Sequence, residues 1–102
     1  MSRPHQLAIL LTDLAKMDLA LIQACLLPGS PVGLARVSRE LETAILGLAE
    51  FPQMGRLREE LGADVRSVVV RQHMVFYRLA PGNIVILRVL DTRMDIDAEW
   101  QS

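Results

Sequence analysis

The feature that most restricts the fold of this chain is a change of period at Phe51-Pro52. Before it, apolar residues recur at helical spacing. After it, they gather in short β-rich runs with links of hairpin length between them. The runs are Val65–Arg71, Met74–Leu79 and Ile84–Leu90, and the links are Gln72-His73 and Pro81-Gly82-Asn83. Such links set consecutive strands side by side and antiparallel. The stretch Gln53–Asp64 that precedes the runs is polar and irregular, and its Gly55 and Gly62 suit turns that need positive φ.

Upstream, His5–Leu11 is short and largely apolar and reads as a buried first strand. Thr12 follows as the N-cap of a helix from Asp13 to about Leu27, with Asp13 favourably placed in the first turn. Leu14, Met17, Leu21 and Cys25 make one face of this helix, and Ala15, Leu19, Ile22 and Leu26 a neighbouring one. So broad a stripe predicts packing on more than one neighbour. Pro28-Gly29 ends the helix. Ser30 and Pro31 then read as N-cap and first position of a second helix that runs to about Glu50. Its core stripe is Leu34, Val37, Leu41, Ile45 and Leu48, and Arg36 and Glu40 form an i, i+4 pair on the other side. The short link makes the two helices an antiparallel hairpin. The fold class is therefore α+β, in the order β-α-α-β-β-β: an N-terminal strand, an antiparallel helical hairpin and a mainly antiparallel sheet. The 102 residues suffice for one domain, 1–102, with 91–102 as a polar C-terminal tail ending near Trp100.

Composition narrows the partners. No apolar run approaches the roughly 18 residues of a membrane span, and Met1–His5 does not open a signal peptide. A cytoplasmic location is expected. Cys25 is the single cysteine, so neither an internal disulfide nor a cysteine-based metal site is available. Asp91, Asp95, Asp97 and Glu99 are spaced acids at a chain end, read as solvated carboxylates paired with Arg93; no metal and no cofactor is expected. Eleven basic residues face twelve acidic ones, for a net charge of −1, so direct sequence-specific nucleic-acid binding is not expected. Lys16 is the one lysine; the other basic residues are arginines, suited to planar recognition of carboxylates and phosphates.

Several motifs then occur in order along nearly the whole chain. They are Ala15-Lys16-Met17-Asp18-Leu19, Phe51-Pro52-Gln53-Met54-Gly55-Arg56, Glu60-Leu61-Gly62 with Val65-Arg66-Ser67, Phe76-Tyr77-Arg78, and Arg88-Val89-Leu90 with Arg93-Met94-Asp95. This series resembles the RelE/ParE toxin superfamily, and the ParE-like branch in particular. The resemblance implies the toxin of a type II toxin–antitoxin module, associated with plasmid stabilisation and growth arrest. It implies inhibition of bacterial DNA gyrase, neutralisation by a cognate antitoxin and a toxin–antitoxin hetero-oligomer. Two alternatives stay open: a RelE-like ribosome-dependent mRNA endonuclease, and an inactive homologue that only binds antitoxin. RelE-type cleavage draws on lysines, arginines and a C-terminal tyrosine, whereas this chain has one lysine and no Tyr or His after His73. Asp91 stands where many members carry a histidine. A poison that traps a large enzyme needs a surface rather than a catalytic set, so no catalytic residue is assigned.

Arg66, Arg78 and Arg88 interrupt apolar strands, and with Arg93 and Trp100 they are the candidate target-binding residues. Leu19, Ile22, Leu26 and Leu34 on the helical hairpin are the candidate antitoxin-binding residues. His73 is expected in a hairpin turn, and one of Phe76 and Tyr77 in the core.

Overall fold

The structure is a computed structural model that describes residues 7–26 and 31–100. Among these, β1 (Ala8–Leu11) leads into α1 (Asp13–Leu26), followed by α2 (Pro31–Glu50). Then come β2 (Arg56–Leu57), a 3-10 turn (Glu59–Leu61), β3 (Val65–Val70), β4 (His73–Ala80), β5 (Asn83–Asp91) and α3 (Ile96–Trp100). The strands form one sheet in the order β1-β5-β4-β3-β2. β1 runs parallel to β5, and all other neighbours are antiparallel. The expected α+β architecture is present, enlarged by β2 within the polar link and by α3 within the tail. Positions 5, 6 and 27–30, with the expected start of the first strand, end of the first helix and Ser30 cap, lie outside the described residues.

Thr12 caps α1 as its position predicts. Its Oγ1 accepts the Ala15 N–H at 3.0 Å. The same hydroxyl donates to the Leu87 carbonyl at 2.8 Å, and the Thr12 N–H donates to the Ile86 carbonyl at 3.1 Å. The cap thereby fastens α1 to β5 at the point where pairing with β1 ends, Leu11 opposite Ile86. Beyond Ile86 that edge of β5 is covered by a helix instead of a strand.

The main core lies between the helices and one sheet face. Ala15, Leu41, Leu48, Val75, Tyr77, Ile84, Ile86 and Val89 are buried there, with Leu19, Ile22, Val37 and Ile45 packed against them. Phe76 and Tyr77 are both fully buried. The pleat sends them to opposite faces, and both faces are covered at this point of the sheet. A register shift at Phe76/Tyr77 accommodates Leu87 as an extra residue, since Phe76 pairs with Arg88 and Tyr77 with Ile86.

Four expectations are corrected. His73 is the first residue of β4, opposite Asp91 and 5% exposed; the turn is Arg71-Gln72, with Arg71 at φ 58°. Asn83 belongs to β5, leaving Pro81-Gly82 as the turn, with Gly82 at φ 74°. Gly55 does not take the positive φ expected of it, which among the glycines of this link falls on Gly62. Glu40 takes Arg71 of the β3–β4 turn as its ion-pair partner instead of Arg36. As expected, α1 packs on several neighbours, β5, α2 and β1, with Leu14, Met17 and Leu21 left exposed.

Candidate functional site

Arg88 sits near the centre of β5, and its guanidinium is held by two elements. Nε and Nη2 donate to the two carboxylate oxygens of Asp18 on α1 at 2.8 and 3.0 Å, and Nη1 donates to the Glu99 carbonyl on α3 at 3.1 Å. Asp18 Oδ2 also accepts the Val89 N–H at 3.0 Å, one of the edge groups that β1 does not reach. The side chains of Arg88 and Asp18 are 12% and 8% exposed. The hydrogen bond to Asp18 raises the Arg88 pKa against the opposing effect of burial. Two of the sequence motifs, Ala-x-x-Asp-Leu on the helix and Arg-Val-Leu on the strand, thus meet as one buried ion pair. Asp18 was not among the sequence candidates. The signal was there, an acid in the middle of an apolar helical stripe.

Arg93 lies just past β5 and is exposed. Its Nε and Nη2 donate to the two oxygens of Asp91, both at 2.9 Å, and its N–H donates to Oδ1 at 2.8 Å. These bonds hold the Asp91 carboxyl far below the usual carboxylate range. Opposite Asp91, burial lowers the His73 pKa, partly offset by the Asp91 charge. Asp18, His73, Arg88, Asp91, Arg93 and Met94 help line one cleft of about 340 Å³. Both of its arginines already hold a carboxylate, and its histidine is biased toward the neutral form.

The sheet separates the remaining arginines. Arg66 pairs with Tyr77 and so lies on the helix side, where Nη1 donates to the carbonyls of Gly55 at 2.9 Å and Gln53 at 3.3 Å. Arg78 and Arg88 lie on the other side, in register with Val65 and Phe76 respectively. Arg78 is exposed, and among the described residues neither it nor Arg66 has an ion-pair partner. Trp100 lies over this same face. Its ring meets Phe76 edge-on at 5.2 Å, and Nε1 donates to the Leu61 carbonyl at 2.9 Å. The fold therefore brings Arg88 and Trp100 together through α3, keeps Arg93 on Asp91, and turns Arg66 away.

Gly55 explains why the Phe-Pro-x-x-Gly-Arg stretch takes this shape. Its N–H donates to the Tyr77 hydroxyl at 2.9 Å, which in turn donates to the Pro52 carbonyl at 2.8 Å. A Cβ at Gly55 would stand 2.5 Å from that hydroxyl oxygen.

The helical hairpin carries a second, apolar cleft of about 390 Å³, lined by Ile9, Leu11, Leu19, Ile22, Leu41 and Ile45 among others. Leu19 and Ile22 contribute to it as half-buried residues. Leu26 and Leu34 lie on α1 and α2, but their side chains fall outside the described residues, as does that of Cys25. Among the described residues, no group of three or more His, Cys, Asp or Glu is placed to hold a metal, and no helix is long and apolar enough to cross a membrane.

The family described as the ParE toxin of type II toxin-antitoxin system, parDE, matches residues 9–96. Toxin ParE3 of Caulobacter vibrioides is 35% identical over 83 residues, 81% of this chain and 82% of its own length. Toxin ParE1 of Mycobacterium tuberculosis is 40% identical over 60 residues, 58% of this chain and 61% of its own. Among solved structures, the chromosomal ParDE system from P. aeruginosa superposes with a TM-score of 0.71 at 19% identity, covering 85% of this chain and 97% of that one, a likeness of fold. The toxin–antitoxin complex RelBE2 from Mycobacterium tuberculosis does so with a TM-score of 0.59 at 28% identity, covering 84% and 98%. By sequence over nearly its whole length, the chain belongs to the ParE toxin family of type II toxin–antitoxin systems.

Proposed function

We propose that this toxin acts in the bacterial cytoplasm by poisoning DNA gyrase, and that a cognate antitoxin neutralises it in a hetero-oligomer. The observation that carries the poison reading is the state of the polar cleft. Arg88 and Arg93 are each matched by a carboxylate, and the nearest histidine is biased toward neutrality by burial. Cleavage of RNA needs cations available to the scissile phosphate and a base for the 2′-hydroxyl. This arrangement supplies neither readily, whereas a protein-binding surface requires neither. Arg78, Arg93 and Trp100 are the side chains proposed to meet the target, with Arg88 holding α3 beneath Trp100; Arg66 would contribute only from the helix side of the sheet.

The antitoxin is proposed to pack its apolar side chains into the cleft lined by Leu19 and Ile22. Leu26 and Leu34 are proposed to take part in that contact, and Leu14, Met17 and Leu21 offer further exposed apolar surface on α1. The test is reconstitution. The purified chain should inhibit supercoiling or accumulate cleaved DNA with gyrase, and the antitoxin should reverse the effect. Codon-positioned mRNA cuts on translating ribosomes would replace this reading with the endonuclease alternative. Inactivity in both assays, with antitoxin binding retained, would favour an inactive homologue.

A further inference from the structure

The outer side of α1 carries apolar residues where a surface helix ordinarily carries charge. Ala15, Asp18, Leu19 and Ile22 turn toward the body of the molecule. Leu14, Met17 and Leu21 are 49%, 60% and 61% exposed, and Ala20 and Ala24 are exposed beside them. From Leu14 to Ala24 this face spans about three turns and holds no charged side chain. Lys16 is turned off it by roughly 100° from Met17, toward the flank where Gln23 lines the apolar cleft.

Leu14, Met17, Leu21 and Ala24 follow one another at alternating intervals of three and four, the rhythm of a seam that receives another helix. The order of their sizes points to which helix. A second copy of α1, reversed about a two-fold axis at the level between Met17 and Leu21, sets Leu14 against Ala24 of the second copy and Met17 against its Leu21. Symmetry repeats both contacts. Large then meets small at each end, and Ala20 beside the axis lets the backbones approach. The helix dipoles oppose each other, which favours this direction. A parallel pairing fits worse: it leaves a gap where Ala24 meets Ala24 and sets Asp13 beside Asp13. Closing the antiparallel seam takes no charge out of water.

We infer that the Leu14, Met17, Leu21 and Ala24 face of α1 is a self-association surface, on which two copies of the toxin pair antiparallel. Leu19 is turned roughly 160° from Met17, so the cleft proposed for the antitoxin stays open in the pair. Five side chains make a seam well below the ~20–30 residues a side of a standard interface. The dimer is therefore weak, with a Kd on the order of 10 µM. The inference goes beyond the proposed function and holds whatever the toxin's target is. Its test uses the isolated chain, so its failure and a failure of the gyrase reading are separable.

Sedimentation equilibrium of the full chain, free of antitoxin, should show the mass rise from one copy to two between about 1 µM and 1 mM. Met17→Lys puts a charge at the centre of the seam and should raise Kd by about tenfold or more. Leu14→Ala should raise it about fivefold. Adding Ala24→Leu to that variant exchanges large and small across the same contact, and should bring Kd back to within about twofold of the original. Adding Gln23→Leu instead gains the same leucine off the seam and should recover nothing. Alanine and leucine both favour helix, and a thermal melt confirms that each variant is folded. A chain still monomeric at about 1 mM, a dimer indifferent to Met17→Lys, a size exchange that recovers nothing, or equal recovery with Gln23→Leu would each overturn the inference. A seam that serves only a foreign helix gives the first of these results.

Discussion

Asp18 serves three donors at once: Nε and Nη2 of Arg88 and the backbone N–H of Val89. Removing the acid strands a buried cation and an edge N–H together. Asp18→Ala should therefore cost about 3 kcal/mol or more, read as a fall in the urea midpoint with an unchanged slope. Pairing it with Arg88→Met should recover much of that loss, because the stranded charge is the larger part of the penalty. His73 offers a different readout. Burial lowers its pKa, so on acidification the unfolded chain takes up this proton first. The stability it confers is intact above the unfolded value of about 6.5 and is lost as pH falls through the lower folded value. His73→Gln should flatten that part of a stability–pH profile, and a profile of unchanged slope would show that another group governs it. The acid was legible in the sequence as an oddity on an apolar helix. Its partner was not, because Arg88 lies 70 residues away and no local rule joins them.

At the level of elements, what is encoded locally was the most readable. Thr12 before an apolar helical run is a cap signal, and it caps. The cap does a second job that the sequence does not show, donating to the Leu87 carbonyl beside the bulge. Thr12→Ala should thus cost about 1–2 kcal/mol, somewhat more than an isolated cap, and Thr12→Ser should recover most of it in the same melt. The β3–β4 turn was misplaced by one residue because the left-handed position falls on Arg71, which no turn preference marks. The two-residue β2 is invisible to periodicity, as alternation needs more positions than it has. The parallel neighbour of β1 depends on sheet order, which hairpin spacing does not constrain. The arginines scatter for the same reason: a strand's facing is set by register, and register is settled by contacts distant in sequence.

On the scale of the whole molecule, the sheet carries different cover on its two faces. The long helices protect one, and a loop with a five-residue helix protects the other. Trp100 lies on the sheet face away from the proposed antitoxin cleft, and the cleft that holds Arg93 meets it at Ile22, so the two contacts should be separable by mutation. Arg93→Ala with Trp100→Ala should abolish growth arrest while leaving antitoxin binding within about threefold, a change worth under ~1 kcal/mol. A thermal melt confirms that the double variant is still folded. Growth arrest that persists in a folded double variant would move the effector surface to Arg78 or, on the opposite face, to Arg66.

The parallel pairing of Ala8–Leu11 with Asn83–Ile86 also bears on timing. Chains emerge from the ribosome N-terminus first, so β1 is made long before the strand that receives it. Until Asn83 and its successors are out, β1 has no neighbour in the sheet, and the Ile86 and Leu87 carbonyls that anchor the cap of α1 do not yet exist. A nascent chain halted at Gly82 should show no hydrogen-exchange protection at Ile9–Leu11, whereas the finished chain should. Assembly of the toxin is thereby postponed until β5 has been made, an interval in which the proposed antitoxin can meet it.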